Sequence, residues 1–144
     1  MQIKIKQDKK PITGPEPVAE MFRSILQCED EIDQNKEHFW VAGLNTAGCV
    51  RYVELVSLGT LTSNLVHPRE VFRLAILKGV NSIIVGHNHP SGAIEPSGND
   101  RDVTSRLRKA GDILGVEVLD HVIIGDQTFY SFNDQGLMKK GEKK

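Results

Sequence analysis

The sequence predicts an α/β domain, a mixed sheet flanked by helices, and two observations carry that expectation. Helical and extended apolar patterns follow one another in the order α-β-β-α-β-α-β-β. One extended run, His38-Phe39-Trp40-Val41-Ala42-Gly43-Leu44, is apolar on both alternating faces, as in a strand covered on both sides. A chain of 144 residues is long enough for one domain with a substantial core.

Pro15 opens the first helix, in which Val18, Met21, Phe22, Ile25 and Leu26 recur at helical spacing. The acidic stretch from Glu29 to Asp33 reads as a loop leading into the covered strand. Asn45-Thr46-Ala47-Gly48 is a turn, and Val50 to Leu58 a returning strand. A Gly-Thr-Leu-Thr-Ser-Asn loop follows, and His67-Pro68 starts the second helix, where a first-turn proline sacrifices no intrahelical hydrogen bond. Val71, Leu74, Ala75 and Leu77 are expected to line its inner side, and Gly79 to stop it. Val80 to His87 is the third strand. A polar loop, Pro90 to Asn99, leads to a third helix with Val103, Leu107, Ala110 and Leu114 facing inward. Strands at 116–124 and 128–132 close the domain. The expected organisation is a polar tail over 1–14, the domain over 15–137 and a lysine-rich tail over 138–144.

No apolar run approaches the length of a membrane span, and MQIKIKQDKK lacks the apolar core of a signal peptide, so a cytoplasmic protein is expected. Cys28 and Cys49 have no CxxC spacing and read as buried or free thiols rather than a disulfide. The net charge of −1 is unevenly laid out. Eight lysines lie in the two ends, which read as solvated tails, while residues 11–138 keep ten basic and seventeen acidic side chains, a balance of −7. A body of that sign disfavours nucleic acid. Duplex DNA affinity is therefore expected to be weak at physiological salt, with any residue of binding salt-sensitive and owed to the lysine ends. Titration of labelled duplex with the chain lacking both ends checks this, and tight sequence-selective binding there would contradict it.

The chemistry-bearing stretch is GHNHPSG, residues 86–92. His87 and His89 stand two apart where an extended run ends in a Pro-Ser-Gly turn, so both imidazoles project to one side while Asn88 faces away. Asp100 follows eleven residues after His89 at the start of the third helix, with Ser97 three before it. Taken singly, each half has a plainer reading. Ser97-x-x-Asp100 is a helix capping box, and an H-x-H in a turn is commonly a surface feature. Together, two imidazoles and a carboxylate suit zinc, with a fourth position left for water as in catalytic sites.

The run H-x-H-x7-S-x2-D looks like the JAMM signature of MPN-domain metalloproteases. The wider wording, LVHPREVF, GHNHPSG, PSGND, LGVEVLDHVIIGD and YSF, resembles the bacterial RadC family from about Phe22 to Gly136. That resemblance implies a single MPN (JAB/JAMM)-like domain with zinc held by His87, His89 and Asp100. It implies Ser97 as a donor to the developing oxyanion, and a glutamate at the head of the strand after the first helix as general acid/base. The matching position in KEHFWVAGLN is Glu37. A peptide or protein substrate follows from the same likeness. Many RadC proteins carry a helix-hairpin-helix module ahead of this domain. Only some fourteen residues precede the first helix here, so that module is expected to be absent and a DNA repair role is weakened. The competing reading is a non-catalytic binding module on DNA or on a repair or mobile-element protein.

Other carboxylates and histidines have local readings. Glu54 lies mid-strand and is expected to face solvent or a neighbouring strand, Glu70 sits in a helix first turn, and Glu95 is in the loop beside the ligands. Glu37 has its own plain alternative, an exposed strand-end residue paired with Lys36. His121 reads as a hydrogen-bonded strand histidine, the alternatives being a further ligand or a partner of the ligands. His38 and His67 read as local, and Ser91 as a turn serine.

Overall fold

The computed structural model describes residues 2–3, 10–59 and 66–138. Most of the loop expected at 59–64 and of both lysine-rich ends lies outside them. In chain order the elements are β1 (Gln2–Ile3), α1 (Pro15–Gln27), α2 (Glu31–Gln34), β2 (Glu37–Leu44), β3 (Val50–Gly59), α3 (Pro68–Lys78), β4 (Ser82–Asn88), α4 (Gly98–Leu114), β5 (Glu117–Ile124) and β6 (Phe129–Ser131). The strands form one mixed sheet in the order β1-β3-β2-β4-β5-β6. Among the described residues only β4 and β5 pair in parallel, the connection between them being α4. A parallel pair needs such a crossover, and this one returns the chain past the C-terminal end of β4.

Both faces of the sheet are covered, as the double apolar pattern of β2 requires. Trp40, Ala42 and Ile84 pack with Val18, Ala19 and Phe22 of α1. Phe39, Val41, Ile83 and Val85 pack with Phe72 of α3 and Leu107 of α4 on the opposite face. The Phe22 ring stacks on Trp40 at 5.3 Å and also presses on Gly86, where an added Cβ would sit 2.5 Å from the ring. A side chain at Gly86 would lift α1 off the middle of the sheet.

Several expectations need correction. The acidic stretch expected as a loop contains the one-turn helix α2, because the Asp30 side chain accepts from Asp33 N at 2.8 Å and caps it. The polar tail over 1–14 contributes β1, which pairs with β3 at Glu54 and Val53. Met138, placed in the C-terminal tail, is buried in the α3/α4 core. Leu77 is 73% exposed; it lies two residues beyond Ala75, about 200° round the helix, and Phe72 takes the inward place. Leu114 is 47% exposed, and Gly111 faces inward instead. Its missing side chain admits the Val116 carbonyl, 2.3 Å from where a Cβ would stand. Glu54 is buried rather than solvent-facing, and accepts from Arg73 of α3 at 3.1 Å.

Candidate metal centre

His87 points from β4 to the α3/α4 face, since it alternates with Val85 and Ile83. The chain then leaves the sheet, with His89 N donating to Ile124 O of β5 at 3.0 Å and Gly92 N closing a turn onto His89 O. The crossover brings the first turn of α4 directly above, with Asp100 as its third residue. His87 Nε2 lies 2.9 Å from His89 Nε2 and 3.2 Å from Asp100 Oδ1, and His89 Nε2 lies 3.1 Å from Asp100 Oδ2. The capping box and the cluster are one structure. Ser97 Oγ accepts from Asp100 N at 3.0 Å, and Asp100 Oδ2 accepts from Ser97 N at 2.9 Å. Capping thus fixes the carboxylate that faces the imidazoles.

Hydrogen bonding also assigns the tautomers. His89 Nδ1 is 2.7 Å from the Ala93 carbonyl, which can only accept, so Nδ1 carries a proton and, in the neutral ring, Nε2 a lone pair. For His87 the chain of bonds is longer. The Thr104 hydroxyl donates to the Asp100 carbonyl at 2.9 Å, one helical turn back, and so accepts from His121 Nδ1. His121 Nε2 is then an acceptor, 2.7 Å from His87 Nδ1, which donates to it. In their neutral forms both histidines thereby present bare Nε2 atoms to one point. His121 is fully buried between Phe132, stacked at 4.6 Å, and Phe39. Burial first, then the neighbouring His87, holds it well below the usual imidazole pKa, and the neutral ring suits this relay.

Two lone pairs 2.9 Å apart cannot hydrogen-bond to each other, and a cation resolves that conflict. Ligands at ~2.0–2.1 Å in tetrahedral array stand about 3.3 Å apart, close to the separations found here. The donor set of two imidazole nitrogens and one carboxylate fits zinc, and the cluster can hold a metal ion. Without one, burial pushes the Asp100 carboxyl up, but the His87 and His89 hydrogen bonds outweigh it and hold it far below the carboxylate range. His89 is raised, chiefly by its bond to Asp100 and in smaller part by the Glu37 charge.

Above the cluster opens a cleft of about 750 Å³, whose wall includes Lys36, Glu37, His89, Glu95, Ser97 and Asp100. Half-buried Glu37 and exposed Ser97 thus line the same cleft as His89 and Asp100, and so does exposed Glu95. Lys36, the cation considered for Glu37, bonds Asp33 at 2.9 Å. Ser91 accepts from Ala93 N at 3.4 Å, a turn role. His67 is the N-cap of α3, Glu70 lies in that helix's first turn, and Cys28 and Cys49 are not joined in a disulfide. His38 has a local role, fully buried and bonded to Glu29 and to Lys36 O. Thr104 and Asn88 were not singled out as functional from the sequence. A threonine four residues after a candidate ligand on one helix was the available signal for the first.

The relay yields an expected result. His121→Phe preserves ring packing but leaves His87 Nδ1–H without its acceptor, and should weaken zinc binding about 10–100-fold. Competition against a chromophoric chelator measures it; parent-like affinity would show that His121 does not orient His87.

The family model described as a RadC-like JAB domain matches residues 12–137. Among curated proteins, the chain is 44% identical over 133 residues to a UPF0758 protein of Chlorobaculum parvum, covering 92% of this chain and 58% of that protein. It is 47% identical over 133 residues to a UPF0758 protein of Staphylococcus epidermidis, covering 92% and 57%. With a UPF0758 protein of Rubrobacter xylanophilus it shares 50% over 127 residues, covering 88% and 53%. The chain spans little more than half the length of these relatives. No helix among the described residues is long and apolar enough to cross a membrane.

Proposed function

This chain belongs to the family of RadC-like JAB domains, and from that membership we propose that it is a zinc-dependent hydrolase of peptide or isopeptide bonds. One observation carries the reading. His87 Nε2, His89 Nε2 and the Asp100 carboxylate converge within 2.9–3.2 Å, at a cleft whose wall also holds a carboxylate and a hydroxyl.

Zinc, when bound by His87, His89 and Asp100, supplies a Lewis acid for a carbonyl oxygen and makes water acidic enough to ionise near neutral pH. Glu37 takes the proton of the attacking water and passes it to the leaving amine, a task suited to a carboxylate on rigid strand backbone. Ser97 donates its hydroxyl proton to the oxygen on which charge develops, since its bond from Asp100 N occupies only a lone pair. His121 and Thr104 keep His87 in the tautomer that ligates. The negative balance of the body supports a peptide rather than a nucleic acid as substrate.

The test is cleavage of a peptide library and of lysine-linked isopeptides by zinc-loaded protein, read by mass spectrometry with and without chelator. Chelator-sensitive amide cleavage is the expected result. A metal-loaded protein that cleaves no amide but retains a peptide would instead favour a binding module.

A further inference from the structure

We infer that Asn88 is the positioning residue for Glu37, its side-chain amide standing in for a missing rung of the sheet. This rests on the role proposed above for Glu37.

The last backbone pair between β2 and β4 is Phe39 with His87. Beyond it β4 turns away, because His89 N bonds Ile124 O of β5 rather than anything on β2. The departure is what brings His89 over the metal site, and it strips the head of β2 of its neighbour on that side. On the other side β3 still pairs with it, Glu37 opposite Gly59 and His38 opposite Leu58. Asn88 fills the gap. Its Oδ1 accepts from His38 N at 2.6 Å and its Nδ2 donates to Lys36 O at 3.0 Å. Those two backbone groups flank Glu37 and point the same way, so one amide satisfies both as a continuing strand would.

The match is chemically specific. One site offers only a donor and the other only an acceptor, and of the side chains of this size only asparagine supplies the complement of both. Asn88 is 2% exposed, so an unmade bond here would leave a buried polar group unsatisfied. A second tie, His38 Nδ1 to Lys36 O, holds the same segment, with His38 fixed in turn by Glu29. Glu37 therefore projects into the cleft from a residue whose two flanking peptide groups are pinned, which limits the directions its carboxylate can take. The residue between the two ligand histidines thus ties the metal site to the proton carrier.

The variants are Asn88→Ala, and Asn88→Asp, which keeps the acceptor and loses the donor. Zinc-loaded protein is compared by amide hydrogen exchange and by the carboxyl ¹³C signal of Glu37, assigned through Glu37→Gln. In Asn88→Ala the His38 amide should exchange at least about tenfold faster while the Val41 amide keeps its rate and zinc content is unchanged. The Glu37 signal should move in both variants. On a substrate found by the cleavage screen, kcat should fall about 10–100-fold with KM within about twofold, and Asn88→Ala should add nothing to Glu37→Gln. A protected His38 amide with an unmoved Glu37 signal overturns the inference, and so does a double variant slowed by the product of the single effects. If the parent cleaves no amide, the proposed function falls, while the exchange and carboxyl signals still decide the role of Asn88.

Discussion

Glu37→Gln is expected to lower turnover about 10²–10⁴-fold while leaving the fold and zinc content as in the parent. The substitution is isosteric and half-buried, and it sits at the first residue of β2, where the backbone is held by β3 and Asn88. Glutamine fills the same space but has no basic oxygen to carry a proton. Two electrostatic side effects oppose each other. The Glu37 charge helps keep a proton on His89, so its loss eases proton competition for the metal. The same loss removes a negative charge that attracts the cation, and metal affinity should therefore change little. Steady-state kinetics together with elemental analysis separate these quantities. Glu95 shares the cleft wall, so Glu95→Gln is the matched control. Full turnover in Glu37→Gln with loss in Glu95→Gln would transfer the proton-carrying role to the loop.

The contrast between Glu37 and His121 shows what kind of information the sequence exposes. His87, His89 and Asp100 are linked by local rules, the two-residue period of a strand and the first turn of a helix, and a local rule can be read from spacing. Glu37 lies fifty residues upstream of His87, and it was named only through family resemblance. Its approach depends on β2 and β4 being neighbours in a particular register. His121 and Thr104 depend on the parallel pairing of β4 with β5 around α4, and no periodicity in either segment encodes that pairing.

Asn88 illustrates a subtler limit. Alternation correctly turned it away from the histidines, but not into solvent. A strand that ends beside a longer partner leaves unpaired backbone groups, and only the register reveals which side chain reaches them. Glu54 and Leu77 err for related reasons. A mid-strand carboxylate can be buried if a neighbouring helix supplies an arginine, as Arg73 does, and an apolar residue can lie on the open side of a helix whose inner stripe is already complete. Strand β1 had no legible pattern, since two residues beside lysines show no period.

The double variant His87→Ala, His89→Ala should bind essentially no zinc where the parent binds about one per chain, an effect larger than the loss of an outer partner. The two positions differ in what else they do. His87 is 1% exposed and bonded to His121, so its truncation opens a hole in the core and leaves a buried acceptor unmet, at a cost of about 1–3 kcal/mol in stability. His89 is partly exposed, and outside the cluster its ring bonds the Ala93 carbonyl of its own turn. His89→Ala is therefore the cleaner test, with metal-free stability close to the parent. Zinc held only by the folded state should, at a hundredfold excess over Kd, stabilise the parent by ~2.7 kcal/mol and the variant hardly at all. Acid should reproduce the loss reversibly. Asp100 raises the pKa of His89, so in the metal-free protein the ring takes up a proton at a higher pH than free imidazole, whose pKa is ~6.5. Proton competition then begins on the neutral side of that value, and zinc affinity falls as pH drops through it and recovers on neutralisation. Thermal unfolding with and without zinc at several pH values measures all three effects. A zinc-induced shift equal in parent and His89→Ala would place the metal elsewhere.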